Sequence, residues 1–305
     1  MVKPRSSPAR SSRISLRRQS RHDSAPEFST LSDERAFASL EINSRDEKPR
    51  AVGLTEIRGP YYTPMGRRYL EDVLETMGAY VDSLKFAGGS FTLMPRNRLK
   101  ELIDLAHKFQ VQVSTGGFLE HVLTKGAKQV ERYIAECAEL VFDVIEISSG
   151  FITIPTDDWI RLIKKVQQAG LKAKPEVGIQ FGAGGASEAS VLETHGTSSP
   201  QMAIDRAKRF LEAGASIIMI ESEGITESVK AWRSDVPWQF VNALGLEHVM
   251  FEAADPPVLS WYIKNFGPEV NLFVDHSQIV QLECLRRGLW GTSELWGRVV
   301  TFKGD

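Results

Sequence analysis

The chain is poor in cysteine and contains no long apolar run. Its 305 residues include 2 cysteines, Cys137 and Cys284, whose apolar, helix-like surroundings favour core packing over a disulfide or a catalytic role. No segment approaches the ~18 consecutive apolar residues of a membrane helix, and the N-terminus lacks the apolar stretch of a secretory signal. The formal net charge is −2, which provides no overall attraction to nucleic acid or membrane. We therefore expect neither as a partner.

Several local signatures of catalysis are also absent. HExxH and CxxC do not occur, so a zinc site has little support. GxSxG is missing, which removes the usual signal of a serine hydrolase. No GxGxxG follows the first predicted strand, as a dinucleotide-binding fold would require.

Residues 1–48 differ in composition from the rest of the chain. They are rich in Ser, Arg and Pro and poor in large apolar side chains, which predicts a disordered extension before a folded domain at 49–305. The same composition suits a mitochondrial transit peptide, although Pro4 and Pro8 interrupt an amphipathic helix. We expect a cytoplasmic protein, with mitochondrial import as the alternative. RRQS places Ser20 in a sequence that basophilic kinases prefer.

Beyond residue 49, apolar runs alternate with amphipathic helical patterns. Strands are predicted at 51–56, 80–86, 111–116, 141–147, 171–177, 216–221, 248–253 and 270–275. Helical patterns lie between the strands, such as those at 67–78, 98–109, 157–170 and 199–214, the last two ending in the glycine that helix C-termini favour. Eight such units indicate an α/β fold, a (β/α)8 TIM barrel. A doubly wound open sheet is the alternative.

Charged residues stand where the predicted strands end, the functional face of a barrel. At an effective dielectric constant near 20, two carboxylates about 4 Å apart repel by about 4 kcal/mol, so a cation is expected among them. Oxygen ligands select Mg²⁺. The predicted metal ligands are Glu146, Glu176, Glu221 and Glu252, with the cations Arg58 and Lys85 nearby. The alternative for each glutamate is an ordinary salt bridge or helix cap.

Small residues follow three of the predicted strands. Backbone amides there can approach an anion closely, which predicts a phosphate or carboxylate site formed with Arg58. A tight turn without ligand is the alternative. The residues are Gly88, Gly89, Gly116, Gly117, Ser148 and Ser149. FGAGGAS (181–187) opens a different stretch that runs to about residue 200 and is long enough for a lid.

Several segments together resemble the phosphosulfolactate synthase family, in the branch that includes plant heat-stress-associated proteins and bacterial homologues. They are LKFAGGS (84–90), VSTGGFLEHVL (113–123), VIEISSG (144–150), PEVG (175–178), FLEAGASIIMIE (210–221), MFEA (250–253) and LECLRRGLWG (282–291). The resemblance implies a (β/α)8 barrel that binds phosphoenolpyruvate and Mg²⁺. Archaeal members add sulfite to the C=C bond of phosphoenolpyruvate.

The chain departs from the archaeal pattern after EVG (176–178). Archaeal members carry lysines there, one of them the proposed proton donor, whereas this chain has Ile179 and Gln180. The catalytic candidates are therefore Lys85, Glu176 and His276. Two functions stay open: a related Mg²⁺-dependent lyase or synthase acting on a small anionic substrate, and a non-catalytic heat-stress-associated protein. The oligomeric state stays open as well, a homo-oligomer included.

Overall fold

The computed structural model describes residues 35–180, 199–289, 295 and 297–301. Most of the predicted extension, with Ser20, and most of the predicted lid lie outside the described residues. The chain divides into two compact units, Met1–Leu40 and Glu41–Asp305. In the first unit, Arg35 donates a hydrogen bond to the carbonyl of Leu40 (2.8 Å). The second unit contains the barrel and starts before residue 49, the predicted boundary.

Parallel strands close into a barrel in chain order, β1 to β8. They are β1 Thr55–Arg58, β2 Ser83–Lys85, β3 Gln112–Ser114, β4 Val144–Ile147, β5 Lys172–Val177, β6 Ile218–Ile220, β7 Val249–Glu252 and β8 Asn271–Asp275. β1 pairs with β8 from Thr55↔Leu272 to Arg58↔Asp275. This pairing confirms the barrel and excludes the open sheet.

The first strand begins later than the sequence predicted. Gly53 has φ +66°, and its amide donates to the carbonyl of Glu269 (2.8 Å), so the chain is still turning where the predicted strand 51–56 begins. The amide of Leu54 then donates to the Asn271 side chain (2.9 Å). β1 therefore starts at Thr55, and it ends at Arg58, two residues beyond the predicted end at Glu56. The other predicted strands overlap those of the structure.

Helices cover the outside of the barrel. Among the described residues they are α1 Arg67–Met77, α2 Arg96–Lys108, α3 Leu119–Leu123, α4 Ala127–Glu139, α5 Thr156–Gln168, α6 Gln201–Glu212, α7 Asp235–Leu244, α8 Pro256–Phe266 and α9 Ile279–Arg286. Gly170 (φ +80°) and Gly214 (φ +91°) follow α5 and α6 in the left-handed conformation, as predicted. No helix in the described part of the chain has both the length and the apolarity that crossing a bilayer requires.

Cationic side chains fasten the N-terminal end of the barrel. Arg286 is 1% exposed and donates to the carbonyls of Gly53 (2.6 Å) and Val270 (2.7 Å). Lys48 donates to backbone carbonyls beyond α1 and α2, at Gly78 (2.8 Å) and Phe109 (2.6 Å), and burial lowers its pKa to about 8. These bonds explain why residues before 49 belong to the barrel unit.

Candidate active site

Polar side chains fill the barrel interior along β1 to β5. Because side chains alternate along a strand, Ile57 and Ile145 pack outward against helices while Glu56 and Glu146 face inward. Their ion pairs join strands that are not neighbours, such as β1 with β5, so the contacts run across the interior. The interior near β6 to β8 is apolar, with Ile217, Met219, Met250 and Phe273.

Two glutamates and two lysines form one network, which we call the lysine-paired cluster: Glu56, Lys85, Glu146 and Lys174. Lys174 Nζ lies 2.5 Å from Glu56 Oε2 and 3.0 Å from Glu146 Oε2. Lys85 Nζ lies 2.7 Å from Glu146 Oε2 and 4.0 Å from Glu56 Oε2. No member is more than 3% exposed. The two positive charges match the two negative ones, which satisfies the usual requirement for burying ions.

The pKa values in this cluster reflect that match. Burial opposes ionisation of Glu146, but Lys85 and Lys174 outweigh it and lower the pKa to about 2. Burial also opposes the charge of Lys85, but Glu146, Glu56 and Glu176 outweigh it and raise the pKa of the ammonium. Lys85 is therefore a fixed cation, and it suits electrostatic stabilisation better than proton donation.

The ends of β5 to β7 hold a second group, which we call the acidic cluster: Glu176, Glu221 and Glu252. Arg58 lies 2.6 Å from Glu252, and Lys85 lies 3.8 Å from Glu176. Glu221 accepts a hydrogen bond from the amide of Ser222 (2.9 Å). The cluster sits at the C-terminal ends of the strands, where barrel enzymes place their active sites.

The acidic cluster has more carboxyl groups than cations. Burial, and next the charge of Glu146, raises the pKa of Glu176 well above its usual range. Burial, and next the charges of Glu252 and Glu176, does the same to the pKa of Glu221. Glu227, next to the cluster, has a pKa raised to about 7 by burial and by Glu252. Shared protons thus replace some of the missing positive charge.

The predicted magnesium ligands differ in how well they fit a cation. The described residues contain no group of three or more His, Cys, Asp or Glu side chains that could hold a metal ion. Mg²⁺ does not require one, because it often takes one or two carboxylates together with waters and substrate phosphate. Glu221 and Glu252 suit that arrangement, since they lie within hydrogen-bonding reach of each other and Glu176 is nearby. Glu146 is engaged by two ammonium groups.

The predicted anion-binding glycines lie in turns where a residue with a Cβ atom would be strained or would clash. Gly88, Gly89 and Gly116 have φ +61°, +70° and +61°. A Cβ on Gly89 would approach the Phe118 ring to 2.2 Å, and one on Gly117 would approach Ser148 Oγ to 2.5 Å. Tight turns therefore account for these glycines, and their anion binding stays a prediction.

A carboxylate of the chain itself holds the loop after β4. Glu120, on α3, accepts hydrogen bonds from the amides of Gly150 (3.0 Å), Phe151 (2.9 Å) and Ile152 (3.3 Å). It also accepts one from the hydroxyl of Ser148 (2.5 Å). The anion that these groups bind is thus Glu120 in this structure. The sequence analysis assigned Glu120 no role.

His276 lies at the rim, with both ring nitrogens engaged. Its Nδ1 is 3.1 Å from the carbonyl of Arg58, which can only accept, so Nδ1 carries the proton. Nε2 then accepts from the hydroxyl of Tyr69 (2.8 Å). In this tautomer, His276 has no free proton for a substrate.

Sequence reasoning missed Lys174. It lies two residues before Glu176 on β5, so strand alternation places both side chains on the inner face. Gln180 follows the same strand, and its side chain packs over Gly224, where a Cβ would come within 2.5 Å of it. This amide occupies the segment where archaeal members carry lysine.

The comparisons with known proteins agree with this architecture. The chain matches the model of the (2R)-phospho-3-sulfolactate synthase (ComA) family over residues 43–292. Protein HEAT-STRESS-ASSOCIATED 32 of Arabidopsis thaliana is 40% identical over 256 residues, covering 81% of this chain and 90% of the relative. Phosphosulfolactate synthase of Methanothermobacter thermautotrophicus is 30% identical over 254 residues, covering 81% of this chain and 93% of the relative.

Solved structures support the fold at a greater distance. The carboxyl transferase domain of Rhizobium etli pyruvate carboxylase with 3-bromopyruvate gives a TM-score of 0.52 at 11% identity. The match covers 74% of this chain and 40% of that chain, and at such low identity it shows the fold alone. The family match spans most of the barrel, and the chain belongs to the phosphosulfolactate synthase family.

Proposed function

We propose that this protein is a Mg²⁺-dependent lyase or synthase acting on phosphoenolpyruvate or a similar phosphorylated carboxylate. The observation that carries the proposal is the meeting of fixed cations and excess carboxyl groups at one barrel mouth. Arg58 and Lys85 offer positive charge to phosphate and carboxylate, while Glu221 and Glu252 offer oxygens to a divalent cation. A protein without a ligand at this mouth would gain little from burying so many carboxyl groups.

The reaction in the family is addition of sulfite to phosphoenolpyruvate. The sulfur lone pair forms a C–S bond at the CH₂ carbon, and the electron pair of the C=C bond moves towards the carboxylate as an enediolate. A proton then adds to the carbon that carries the phosphate. Positive charge held close to the developing enediolate lowers the barrier.

The residues of this chain divide that work between them. Lys85 is a buried, permanently charged ammonium that would stabilise the developing negative charge. Arg58 is paired with Lys85 on the neighbouring strand β1 and suits bidentate binding of phosphate or carboxylate. Glu176 is the carboxyl group next to Lys85 at the end of β5, and we assign it the proton that the carbon receives. Mg²⁺, when bound, would supply further charge stabilisation through Glu221 and Glu252.

Phosphorus NMR of the full chain with phosphoenolpyruvate, sulfite and Mg²⁺ tests the proposal. We expect a new phosphate resonance that disappears in Glu176→Gln while the circular dichroism of the variant stays that of the folded protein. Glu101→Gln, on the outer surface of α2, is the matched control and should convert substrate like the unaltered chain. Unchanged position and width of the phosphoenolpyruvate resonance would reject the proposal.

A non-catalytic role in heat stress is the second candidate. Gln180 stands where archaeal members carry lysine, and the relative with 40% identity is named a heat-stress-associated protein. Broadening of the phosphoenolpyruvate resonance without a product would favour this candidate, because the mouth would then bind the anion without converting it.

A further inference from the structure

Three aromatic rings surround the guanidinium of Arg58. Its Cζ atom lies 5.7 Å from the ring centroid of Tyr61, 5.6 Å from that of Tyr62 and 5.2 Å from that of Phe273. A ring attracts a cation at distances up to about 6 Å, so all three contribute. Tyr61 and Tyr62 belong to the loop after β1 and are exposed, whereas Phe273 lies on β8 and is 3% exposed. The guanidinium is thus attracted both by the loop and by the barrel wall.

The ring of Phe273 attracts a second cation. The Nζ atom of Lys85 lies 3.9 Å from its centroid, and Lys85 is paired with Arg58 in the register of β1 and β2. Two cations on neighbouring strands repel each other, and the negative face of a shared ring offsets part of that repulsion. An aliphatic side chain would fill the same place in the apolar interior without this attraction.

Most of the hydrogen-bond donors of Arg58 are not used by the barrel. A guanidinium has five N–H groups. Among the described residues, the Arg58 side chain donates to Glu252 (2.6 Å) and to the hydroxyl of Tyr62 (3.3 Å). Arg58 and Glu252 therefore share one hydrogen bond, not the two parallel bonds that arginine and a carboxylate frequently form. A guanidinium held by rings keeps its charge and its other donors for an incoming anion.

We propose that Phe273 is a positioning residue for substrate binding, because its ring keeps Arg58 from pairing fully with Glu252. Without the ring, the guanidinium turns onto the Glu252 carboxylate, forms the second hydrogen bond and loses donors that a phosphate or carboxylate would use. Phe273 contacts no reacting atom and acts through Arg58. The inference rests on the proposed function, since Arg58 is the residue assigned there to the anionic groups of the substrate.

Fluorinated phenylalanines at position 273 test the proposal. Fluorine withdraws electron density from the face of the ring and weakens its attraction for a cation, while the ring keeps nearly the same size. Calorimetry of the full chain with phosphoenolpyruvate and Mg²⁺ measures the effect. We expect the affinity to fall in steps from phenylalanine to its 4-fluoro and 3,4,5-trifluoro analogues, about tenfold over the series. Phe273→Leu, which has no ring, should bind at least as weakly as the trifluoro variant.

Phe240 provides the matched control. It lies on α7 and is 0% exposed, and no lysine or arginine of the described residues lies over its ring. The same analogues at position 240 should leave the affinity within about twofold. A ring that only filled space would give equal effects at the two positions, without a gradation by fluorine.

A measurement without substrate follows Arg58 directly. The ¹⁵N NMR signals of its guanidinium, identified by their loss in Arg58→Gln, respond to hydrogen bonding with Glu252. We expect these signals to shift in steps along the series at position 273 and to stay in place along the series at position 240.

The two measurements separate failure of this inference from failure of the proposed function. Phosphoenolpyruvate binding with equal affinity along the series at position 273, or with equal losses at positions 240 and 273, rejects the positioning role alone. Absence of phosphoenolpyruvate binding in the unaltered chain rejects the proposed function. The ¹⁵N signals then decide the inference: stepwise shifts along the series at position 273 support control of Arg58 by the ring, and unmoved signals reject it.

Discussion

The lysine-paired cluster and the acidic cluster lie in one barrel and treat buried charge in opposite ways. In the first, Glu146 shares its carboxylate with Lys85 and Lys174, and its pKa falls to about 2. In the second, Glu176 and Glu221 have too few cations nearby, and their pKa values rise. Only the second cluster therefore gains from binding a further positive charge.

The difference assigns the two clusters separate tasks. A charge-matched network deep in a barrel is strongly destabilised by removal of one partner, so it fixes the position of Lys85. A cluster with surplus carboxyl groups at the mouth responds to protons and cations. The lysine-paired cluster thus fixes the position of Lys85 next to the acidic cluster.

Removing one lysine from the matched network should produce the largest effect. Lys174→Met leaves Glu56 and Glu146 short of a buried positive charge, and we expect a loss of about 3–5 kcal/mol in the free energy of unfolding, measured by urea denaturation. Lys172→Met, two residues earlier on β5 and exposed, is the control and should change stability by less than about 0.5 kcal/mol. Equal losses in both variants would contradict the charge-matched network.

Removing one carboxylate from the acidic cluster should act in the opposite direction. Without divalent cations at pH 8, Glu221→Gln relieves repulsion and should stabilise the protein by about 1–2 kcal/mol, whereas Glu146→Gln should destabilise it. Thermal denaturation with EDTA measures both. A loss of stability in Glu221→Gln would show that the cluster is not short of positive charge.

The pH dependence of the free energy of unfolding should show the effects of both clusters. In EDTA, the free energy of unfolding should fall as pH rises from about 5 to 8, because Glu227 holds a proton in the folded state up to about pH 7 and the unfolded chain releases it near pH 4.3. Glu227→Gln should remove about 1–2 kcal/mol of this fall, after allowance for partial exposure. Stability should also fall as pH drops from about 4.5 to 2, where Glu146 gains a proton. A profile unchanged in Glu227→Gln would contradict the first assignment.

Mg²⁺ binding should have the smallest effect on stability. It should act at the alkaline end of the pH profile and not at the acid end. At ten times its dissociation constant, a cation bound only to the folded state stabilises it by about 1.4 kcal/mol. We expect Mg²⁺ to raise the melting temperature at pH 8 and to leave the acid limb unchanged. Glu221→Gln should abolish the gain. Survival of the full gain in that variant would remove Glu221 from the proposed metal site.

The barrel could be predicted because its determinants are local. Apolar strands alternate with amphipathic helices, and Gly170 and Gly214 stand where those helices end. The start of β1 could not be predicted, because the turn at Gly53 depends on bonds to Glu269, far along the chain. Apolar content alone therefore placed the strand too early.

The members of the site were easier to predict than their pairing. Carboxylates at the predicted strand ends indicated where the mouth of the barrel lies. The alternation of side chains along β5 would also have placed Lys174 on the inner face. Which glutamate meets which lysine depends on contacts across the barrel, such as Lys174 with Glu56, and these arise only when the sheet closes. The occupation of the β4 loop by Glu120 is likewise a tertiary contact without a local signature.

That contact between Glu120 and the loop after β4 has a kinetic consequence. A loop that waits for an incoming anion must lose conformational freedom during each encounter, which lowers affinity and slows productive binding. Here the amides of Gly150 to Ile152 already hold a carboxylate, so the ordering happens once, when the chain folds. A ligand that entered the mouth would then meet a wall of fixed shape, and its rate of binding would depend on access to the mouth.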